Sequence, residues 1–324
     1  MRWWNNPRVR GAVYQLAAVG AVGAVAWFLI ANTLDNLAHR GIVSGFGFLE
    51  RPASFAIGQT LASYSPSDTF ARALWIGLLN TLYVSLLGIV LATLIGAGIG
   101  IARLSHNWLA ARLATVYVES VRNVPLLLQL FLWYALITQG LPGPRQAIHL
   151  LPGVWLSNRG LVLPSLEWSS LSLSVPRLAG FNFEGGAVFS PELAALLFGL
   201  TIYTAAFIAE VVRGGILAVP KGQGEAASAL GLRRAQALRL VILPQALRII
   251  VPPLTSQYLN LLKNSSLAIA IGYPDLVNVA NTTINITGQA IEGIAIVMAV
   301  FVAISLALSL LMNWYNRRIT LVAR

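Results

Sequence analysis

Charge-free apolar stretches divide the chain into candidate membrane spans. A membrane helix needs about 20 mostly apolar residues to cross about 30 Å of hydrocarbon. The candidates are residues 11–34, 73–102 and 123–144, a shorter stretch bounded by Glu192 and Glu210, a stretch bounded by Arg248 and Asp275, and residues 293–316. The second is long enough to be strongly tilted or broken, and Lys263 interrupts the fifth. We predict an all-α polytopic membrane protein with about six transmembrane helices, within a range of six to eight.

The composition favours a membrane protein over a soluble one. Of the 324 residues, 57% are hydrophobic and only 10% are charged, whereas soluble proteins carry about 25% charged residues. The mean hydropathy of +0.72 points the same way. Residues 149–166 are apolar too, but Pro152, Gly153 and Pro164 argue against a seventh span. The chain has no cysteine, which excludes disulfides and thiol chemistry.

The positive charges predict the orientation of the chain. Cytoplasmic loops of membrane proteins carry an excess of Lys and Arg. With the N-terminus inside, 14 of the 22 basic residues fall in inside segments and 6 in outside segments. Topology therefore explains the net charge of +11, and no nucleic-acid partner is expected. We predict a multi-pass protein with both termini in the cytoplasm, an uncleaved first span, and Trp3 and Trp4 at the membrane interface.

The chain divides into an N-terminal appendage, a main body and a short tail. Residues 1–72 form an N-terminal transmembrane anchor with an outside loop, residues 73–316 hold the other five spans, and residues 317–324 form a cytoplasmic tail. Within the main body, residues 141–190 form a second outside segment. It is long for a loop and rich in Pro and Gly, and we expect it to fold as a small cap with short helices.

The inside loop of residues 213–248 has the pattern of a structured element. Pro220 and Gly222 predict a turn, residues 225–230 a short helix that ends at Gly231, and residues 233–242 a second helix before Pro244. A simple connector would not need such an Ala-rich helix–turn–helix.

Several positions of this loop resemble the EAA loop of bacterial ATP-binding-cassette (ABC) import permeases. They are Glu225, Ala226, Ala227, Gly231, Val241, Leu243 and Pro244, with Val241 where the family usually has Ile. In that family the loop is the coupling helix that seats in a groove of the cytoplasmic ATPase. The resemblance implies that these positions, except Val241, couple this chain to an ATPase, and we add Arg233 and Arg234 to the set. Glu225 can cap the helix start or meet a basic partner residue, and Gly231 allows a sharp turn. An ordinary amphipathic connector is the alternative.

Flanking segments are similar to the polar amino-acid branch of these permeases; they are residues 119–127, 203–216, 219–223 and 262–268. Residues 3–15 and the long second outside loop resemble one permease subunit of the general L-amino-acid transporter. The resemblance implies the type I ABC importer fold and a permease that translocates L-amino acids across the bacterial cytoplasmic (inner) membrane. It implies as partners a cytoplasmic ABC ATPase dimer, a second homologous permease in a heterodimer, and a periplasmic amino-acid-binding protein.

The chain lacks the residues that would bind ATP. A phosphate-cradling loop needs Gly-Lys followed by Ser or Thr, and neither Lys221 nor Lys263 follows a glycine. ATP and Mg are therefore expected on the partner ATPase, with no cofactor, metal site or catalytic residue in this chain. A polytopic enzyme is a contrasting hypothesis, but it lacks paired catalytic carboxylates. An ion-coupled carrier is another, but it needs no structured inside loop.

Charged pairs near the ends of spans have two interpretations. Glu119 and Arg122 are three positions apart, as are Glu210 and Arg213, so each pair can meet on one helix face. Each pair is a candidate gate, or a pair that neutralises itself at a helix end.

A polar run in the fifth span is the candidate substrate path. Lys263, Asn264, Ser265 and Ser266 can meet the carboxylate of an amino acid, with Tyr203 and Thr204 on a facing helix. The alternative is that Lys263 pairs with Glu119 or Glu210 and the serines bond to backbone carbonyls. The permease can also lack a strong site and leave selection to the binding protein. Gly96, Gly98 and Gly100 permit either close helix packing or flexing.

Overall fold

The computed structural model describes residues 7–39, 45–167, 172–180 and 182–320, and these are mostly helical. Trp3 and Trp4, with their predicted interface role, lie outside the described residues. The helices are α1 (Pro7–His39), α2 (Phe70–Ala102), α3 (Trp108–Arg122), α4 (Leu126–Gly140), α5 (Pro191–Leu217), α6 (Lys221–Ala229), α7 (Arg234–Ala237), α8 (Leu243–Asn264), α9 (Leu276–Thr287) and α10 (Ala290–Thr320). Short 3₁₀ helices cover Phe46–Glu50, Pro144–Gln146 and Ser265–Ile271, and a π-helical turn covers Leu238–Ile242.

The predicted number of spans is confirmed. The described residues contain five helices that are long and apolar enough to cross a membrane, or up to six when a bent pair counts as one span. α1, α2, α5 and α10 each supply one, and Arg234–Ile271 supplies another through α7 and α8. α2 is a single helix of 33 residues, so the length of this stretch is not accommodated by a break.

The third span is a bent pair of helices. α3 and α4 meet at an angle of 104°, and the predicted span of residues 123–144 corresponds to α4 alone. Pro125 causes the break, because it has no amide hydrogen and disfavours helical backbone in the residue before it. The Gln129 side chain donates to the Val121 and Val124 carbonyl oxygens at 2.9 and 3.0 Å. It thereby adds a donor to carbonyl groups at the end of α3 and at the break.

The centre of the helical body is α5, which packs along α2. Ala92, Gly96 and Gly100 follow each other at intervals of four residues and are all buried. A Cβ atom at Gly96 would lie 2.7 Å from the Ile208 Cβ, and one at Gly100 would lie 2.7 Å from the Ala209 carbonyl oxygen. Close packing is therefore the role of these two glycines. Gly98 has open space beside it and belongs to a different face of α2.

A short loop before α9 is tied to α2 by polar groups. The Asn80 side chain donates to the carbonyl oxygens of Gln59 and Pro274, both at 2.9 Å. Asp275 is buried and caps α9, because its carboxylate accepts from the Asn278 N–H at 2.8 Å. Burial raises the pKa of the Asp275 carboxyl to about 7, since a charge is poorly solvated there. This contact fixes the turn that leads from α8 into α9.

The segment 141–190 folds mainly as short β-strands, so the expected cap of short helices is wrong. The strands are β1 (Ile148–Leu151), β2 (Val154–Ser157), β3 (Gly160–Leu163), β4 (Ser165–Glu167), β5 (Ser172–Ser174), β6 (Arg177–Ala179), β7 (Asn182–Glu184) and β8 (Ala187–Phe189). The largest sheet has the order β1-β2-β3-β8, and β4-β5 and β6-β7 are separate hairpins. Glycines with positive φ, among them Gly153, Gly160 and Gly180, turn the chain every few residues and leave no run long enough for a helix. The prediction that residues 149–166 are not a span is confirmed.

Candidate functional site

The first helix of the EAA loop, which we define as residues 213–248, begins earlier than predicted. α6 starts at Lys221 directly after Pro220, whereas the sequence predicted a start at Glu225. Glu225 is therefore the fifth residue of α6, and its predicted role as a cap of the helix start is wrong. Gly222 and Gly224 lie inside the first turns, where the surrounding structure outweighs their weak helix propensity.

The turn predicted at Gly231 is confirmed and has a defined geometry. Gly231 has a φ of +76°, which a β-branched residue adopts only with strain. Its N–H donates to the Ser228 carbonyl oxygen at 3.0 Å, and the Leu232 N–H donates to the Ala227 carbonyl oxygen at 3.1 Å. These two bonds form a Schellman motif, which satisfies the last carbonyls of α6.

The second half of the loop is divided into three parts. Arg233 precedes α7, and its N–H donates to the Gln236 side chain at 2.9 Å. A π-helical turn then joins α7 to α8, where the sequence predicted one continuous helix. Leu243 and Pro244 are the first two residues of α8, directly after the π-helical turn.

One face of α6 carries small side chains and is exposed. Ala227 is buried, whereas Ala226 and Ala229 are exposed and Leu230 is 82% exposed at the helix end. A protruding apolar side chain beside alanines provides close approach and an apolar anchor, which is a common feature of docking surfaces. Glu225 and Arg233 are exposed as well.

The EAA loop is bonded to the end of α2, and its own two halves are bonded to each other. Arg234 donates to the Leu104 carbonyl oxygen at 3.2 Å, just beyond α2, and Gln245 in the first turn of α8 donates to the Gln223 side chain at 3.1 Å. A groove of about 1540 Å³ lies between the loop and the end of α2, and Glu225 is part of its lining. The loop is therefore a folded element connected to α2 and α8.

Two arginines meet one carboxylate where α2 and α5 approach the EAA loop. Glu210 binds Arg213 at 2.5 Å, as the spacing predicted, and it also binds Arg103 at the end of α2. The sequence did not indicate Arg103, because 107 positions separate it from Glu210. The cluster links two helices and not only one helix turn.

The other predicted charged pair is not formed among the described residues. Glu119 is exposed, and Arg122 lies over the Phe207 ring with its guanidinium carbon 4.9 Å from the ring centre. A cation–π contact replaces the predicted ion pair.

The candidate substrate path is only partly assembled. Ser265 and Ser266 donate to the backbone carbonyl oxygens of Leu262 and Lys263, both at 2.7 Å, as the alternative interpretation expected. Lys263 is exposed, and in the described part of the chain it forms no ion pair with either carboxylate named for it.

The remaining path residues differ in burial. Thr204 is buried, Tyr203 is half-buried with its ring 4.9 Å from that of Phe207, and Asn264 is half-buried. Of the six path residues, Thr204 and Ser265 are thus buried, and Lys263 is exposed.

Comparison with known proteins adds independent information. Residues 88–321 match the model of a family described as the binding-protein-dependent transport system inner membrane component. The chain is 48% identical to the provisionally named amino-acid ABC transporter permease protein YhdX of Escherichia coli, over 98% of this chain and 96% of that protein. It is 44% identical to the general L-amino acid transport system permease protein AapQ of Rhizobium johnstonii, over 98% and 94%. A crystal structure of an amino acid ABC transporter with histidines superposes with a TM-score of 0.56 at 28% identity, covering 77% of this chain and 95% of that chain.

Proposed function

The chain belongs to the family of binding-protein-dependent transport system inner membrane components, and from this premise we propose that it translocates L-amino acids across the bacterial cytoplasmic membrane. It is a transport subunit and not an enzyme, as the resemblance implied. Its relatives over nearly the whole chain carry names of amino-acid permeases, and this supports the substrate class.

The geometry of the EAA loop is the observation that carries the proposal. Its first helix ends in a hydrogen-bonded turn, exposes Leu230 beside alanines, and is joined to the start of α8 through Gln223. Its second helix, α7, is joined to the chain just beyond α2 through Arg234. An ion-coupled carrier working alone would not need such an element. We assign it to docking on an ATPase, which moves the spans through these attachments.

A permease of this family works with an ATPase and a substrate-binding protein. For this chain we propose a cytoplasmic ABC ATPase dimer that binds ATP and Mg, a periplasmic amino-acid-binding protein, and a second homologous permease in a heterodimer. The EAA loop and both termini are assigned to the cytoplasm, and the insertion of residues 141–190 to the periplasm. The excess of Lys and Arg in the inside segments supports this orientation.

Reconstitution tests the proposal. The complex purified through this chain is expected to contain the ATPase and one sibling permease by native mass spectrometry, and to import labelled L-glutamine into proteoliposomes when ATP and the binding protein are supplied. The isolated chain in lipid is expected to hydrolyse no ATP above an empty-membrane control. Two copies of this chain without a sibling would refute the heterodimer, and ATP hydrolysis by the isolated chain would refute the division of labour.

A further inference from the structure

We propose that a cavity between the insertion and the start of α5 binds a free L-amino acid, with Glu192 as the partner of its ammonium group and Arg159 as the partner of its carboxylate. The inference rests on the proposed function and adds a site on the insertion side of the membrane. The cavity has a volume of about 420 Å³, within the range of about 300–1,000 Å³ that is usual for small-molecule sites.

The position of Arg159 follows from two backbone contacts. Asn158 and Arg159 form the turn between β2 and β3, and the Asn158 N–H donates to the Pro142 carbonyl oxygen at 2.8 Å, just beyond α4. Gly160 follows with a φ of +105°, and a Cβ atom there would lie 2.0 Å from the Phe189 carbonyl oxygen. Only glycine allows this turn to approach β8 so closely. The contact holds Arg159 beside the end of α4 and the beginning of α5.

The position of Glu192 follows from the start of α5. Ser190 caps the helix by accepting from the Leu193 N–H at 3.2 Å, and Glu192 is the second helical residue, where a carboxylate is stabilised by the helix dipole. Its carboxylate accepts a hydrogen bond from the Tyr134 hydroxyl at 3.3 Å. The side chain is therefore fixed at the wall of the cavity from both α4 and α5.

The two charged groups line one cavity without pairing with each other. Glu192 is half-buried and Arg159 is exposed, and in the part of the chain that the structure describes neither forms a salt bridge. An acidic and a basic side chain on the wall of one cavity match the two charged groups that every free amino acid carries at one carbon. A ligand with only one of these charges would form only one of the two charge-assisted contacts, which lowers its affinity.

The rest of the lining suits a small polar molecule with a variable side chain. Thr138 and Asn182 are further polar groups, and Phe183, Val188 and Pro191 are apolar. The Asn158 Oδ1 atom is buried and has no hydrogen-bond partner among the described residues.

Glu192 also lines a second cavity, which extends the site towards the helices. This cavity has a volume of about 390 Å³, and its lining includes Gln59, Ser190, Asn278 and Thr282. Because one carboxylate belongs to both walls, it can hold the ammonium group of a ligand in either cavity. Glu192 therefore belongs to the walls of both cavities.

Direct binding to the transporter tests the site. The complex of this chain with its sibling permease and ATPase is placed in lipid nanodiscs without the binding protein, and labelled L-glutamine binding is measured by equilibrium dialysis. We expect Glu192→Gln and Arg159→Gln each to weaken binding at least tenfold. Glu184→Gln and Arg177→Gln are matched controls, because both side chains are exposed on the insertion outside this lining, and they are expected to bind as wild type.

A competition experiment separates recognition from structural damage. In the wild type, 4-carbamoylbutanoate, which lacks the ammonium group, and 4-aminobutanamide, which lacks the carboxylate, are expected to compete at least tenfold less well than L-glutamine. Glu192→Gln should lose the discrimination against the first compound, and Arg159→Gln the discrimination against the second. A general loss of structure would not produce this exchange of preferences.

Other outcomes would overturn the inference. Import of L-glutamine by the full system, with no binding in dialysis or with binding unchanged in both variants, would refute the site and leave the proposed function standing. Loss of stimulation by the binding protein in both variants, with L-glutamine binding unchanged, would show that the cavity receives the binding protein instead. If the full system imported no amino acid, the proposed function would fail first.

Discussion

Arg103 at the end of α2 binds the Glu210 carboxylate on α5, although 107 positions separate them in the sequence. The same carboxylate binds Arg213, one turn further along α5. α2 and α5 pack along their lengths, and this cluster joins them next to the EAA loop. A relative movement of the two helices there either breaks or preserves the ion pair between Arg103 and Glu210. The sequence alone suggested only the local pair.

We predict that Glu210→Gln raises ATP hydrolysis without binding protein about fivefold. The carboxylate is partly buried, so losing its ionic hydrogen bonds costs roughly 1 kcal/mol after allowance for solvent screening. The resting conformation of the transporter is destabilised by this free energy, which corresponds to about a fivefold change in its equilibrium. ATPase activity of the reconstituted complex measures the effect. Glu119→Gln, which removes an exposed carboxylate from α3, is the matched control. Equal activity in the wild type and both variants would mean that the cluster only neutralises charge.

Gly231→Val is expected to abolish uptake while the chain remains inserted. The substitution places a β-branched residue at a φ of +76°, which costs on the order of 1–3 kcal/mol and disturbs the Schellman motif that sets the direction of the chain after α6. Uptake of labelled amino acid measures transport, pull-down of the ATPase measures docking of the loop, and a membrane-fraction blot measures insertion. Gly214→Val is the control, because Gly214 is helical, exposed and has open space around it. Normal uptake by an inserted Gly231→Val variant would reduce the loop to a connector.

Glu225→Lys is also expected to reduce uptake, but for one reason only. Glu225 lies at the fifth position of α6, beyond the first turn in which the helix dipole acts. The charge reversal therefore acts through a basic surface of the partner, and high salt should partly restore ATPase binding because it screens exposed charges. The pull-down, repeated at low and high ionic strength, measures this. Salt-independent binding equal to wild type would exclude such a contact.

The glycines of α2 provide a matched pair for stability. Gly96→Ala places a Cβ atom 2.7 Å from that of Ile208, whereas Gly98→Ala meets no atom within 4 Å. Overpacking of this kind costs about 1–3 kcal/mol, so the first variant should unfold at a lower temperature and the second should not. Thermal unfolding in detergent or nanodiscs measures the difference. Equal melting temperatures would show that α2 and α5 separate easily.

Stability should depend on the ionisation of Asp275. Its pKa is raised to about 7 in the folded chain, from about 3.9 in an unfolded one, so the folded state binds the proton more tightly. Its contribution is therefore fully present below the unfolded pKa and is lost as the pH rises towards 7. Asp275→Asn keeps a capping oxygen and should lose less stability than the wild type between pH 5 and pH 8. Melting temperatures measured from pH 5 to pH 8 test this prediction. The same dependence on pH in the wild type and in Asp275→Asn would contradict the raised pKa of Asp275.

The spans and the EAA loop were predictable because their signals are local. Twenty apolar residues without charge specify a membrane helix by length alone, and Pro220 and Gly231 limit α6 through their own backbone preferences. The start of α6 was misplaced because Gly222 and Gly224 have weak helix propensity. Only the packing of the folded loop holds them in a helix. The bend at Pro125 was missed because the length of a charge-free stretch does not indicate whether the helix changes direction within it.

The long-range part of the site could not be predicted from the sequence. Arg103 reaches Glu210 only through the packing of α2 on α5, and Arg159 and Glu192 line one cavity only because Gly160 lets a β-turn approach Phe189. The insertion was expected to be helical because Pro and Gly indicate turns without specifying what lies between them. A pairing of strands as far apart as β3 and β8 leaves no local pattern.

The pairing of β3 with β8 has a consequence for how such chains can vary in length. The last strand of the insertion, β8, pairs with the third strand, β3. The segment between α4 and α5 is therefore closed by hydrogen bonds between its own strands. The entropic cost of closing a loop grows only with the logarithm of its length, and here the closure is made within the insertion. Residues can therefore be gained or lost between β4 and β7 without straining the membrane helices, and hairpins there can be exchanged as interchangeable modules on a constant helical body.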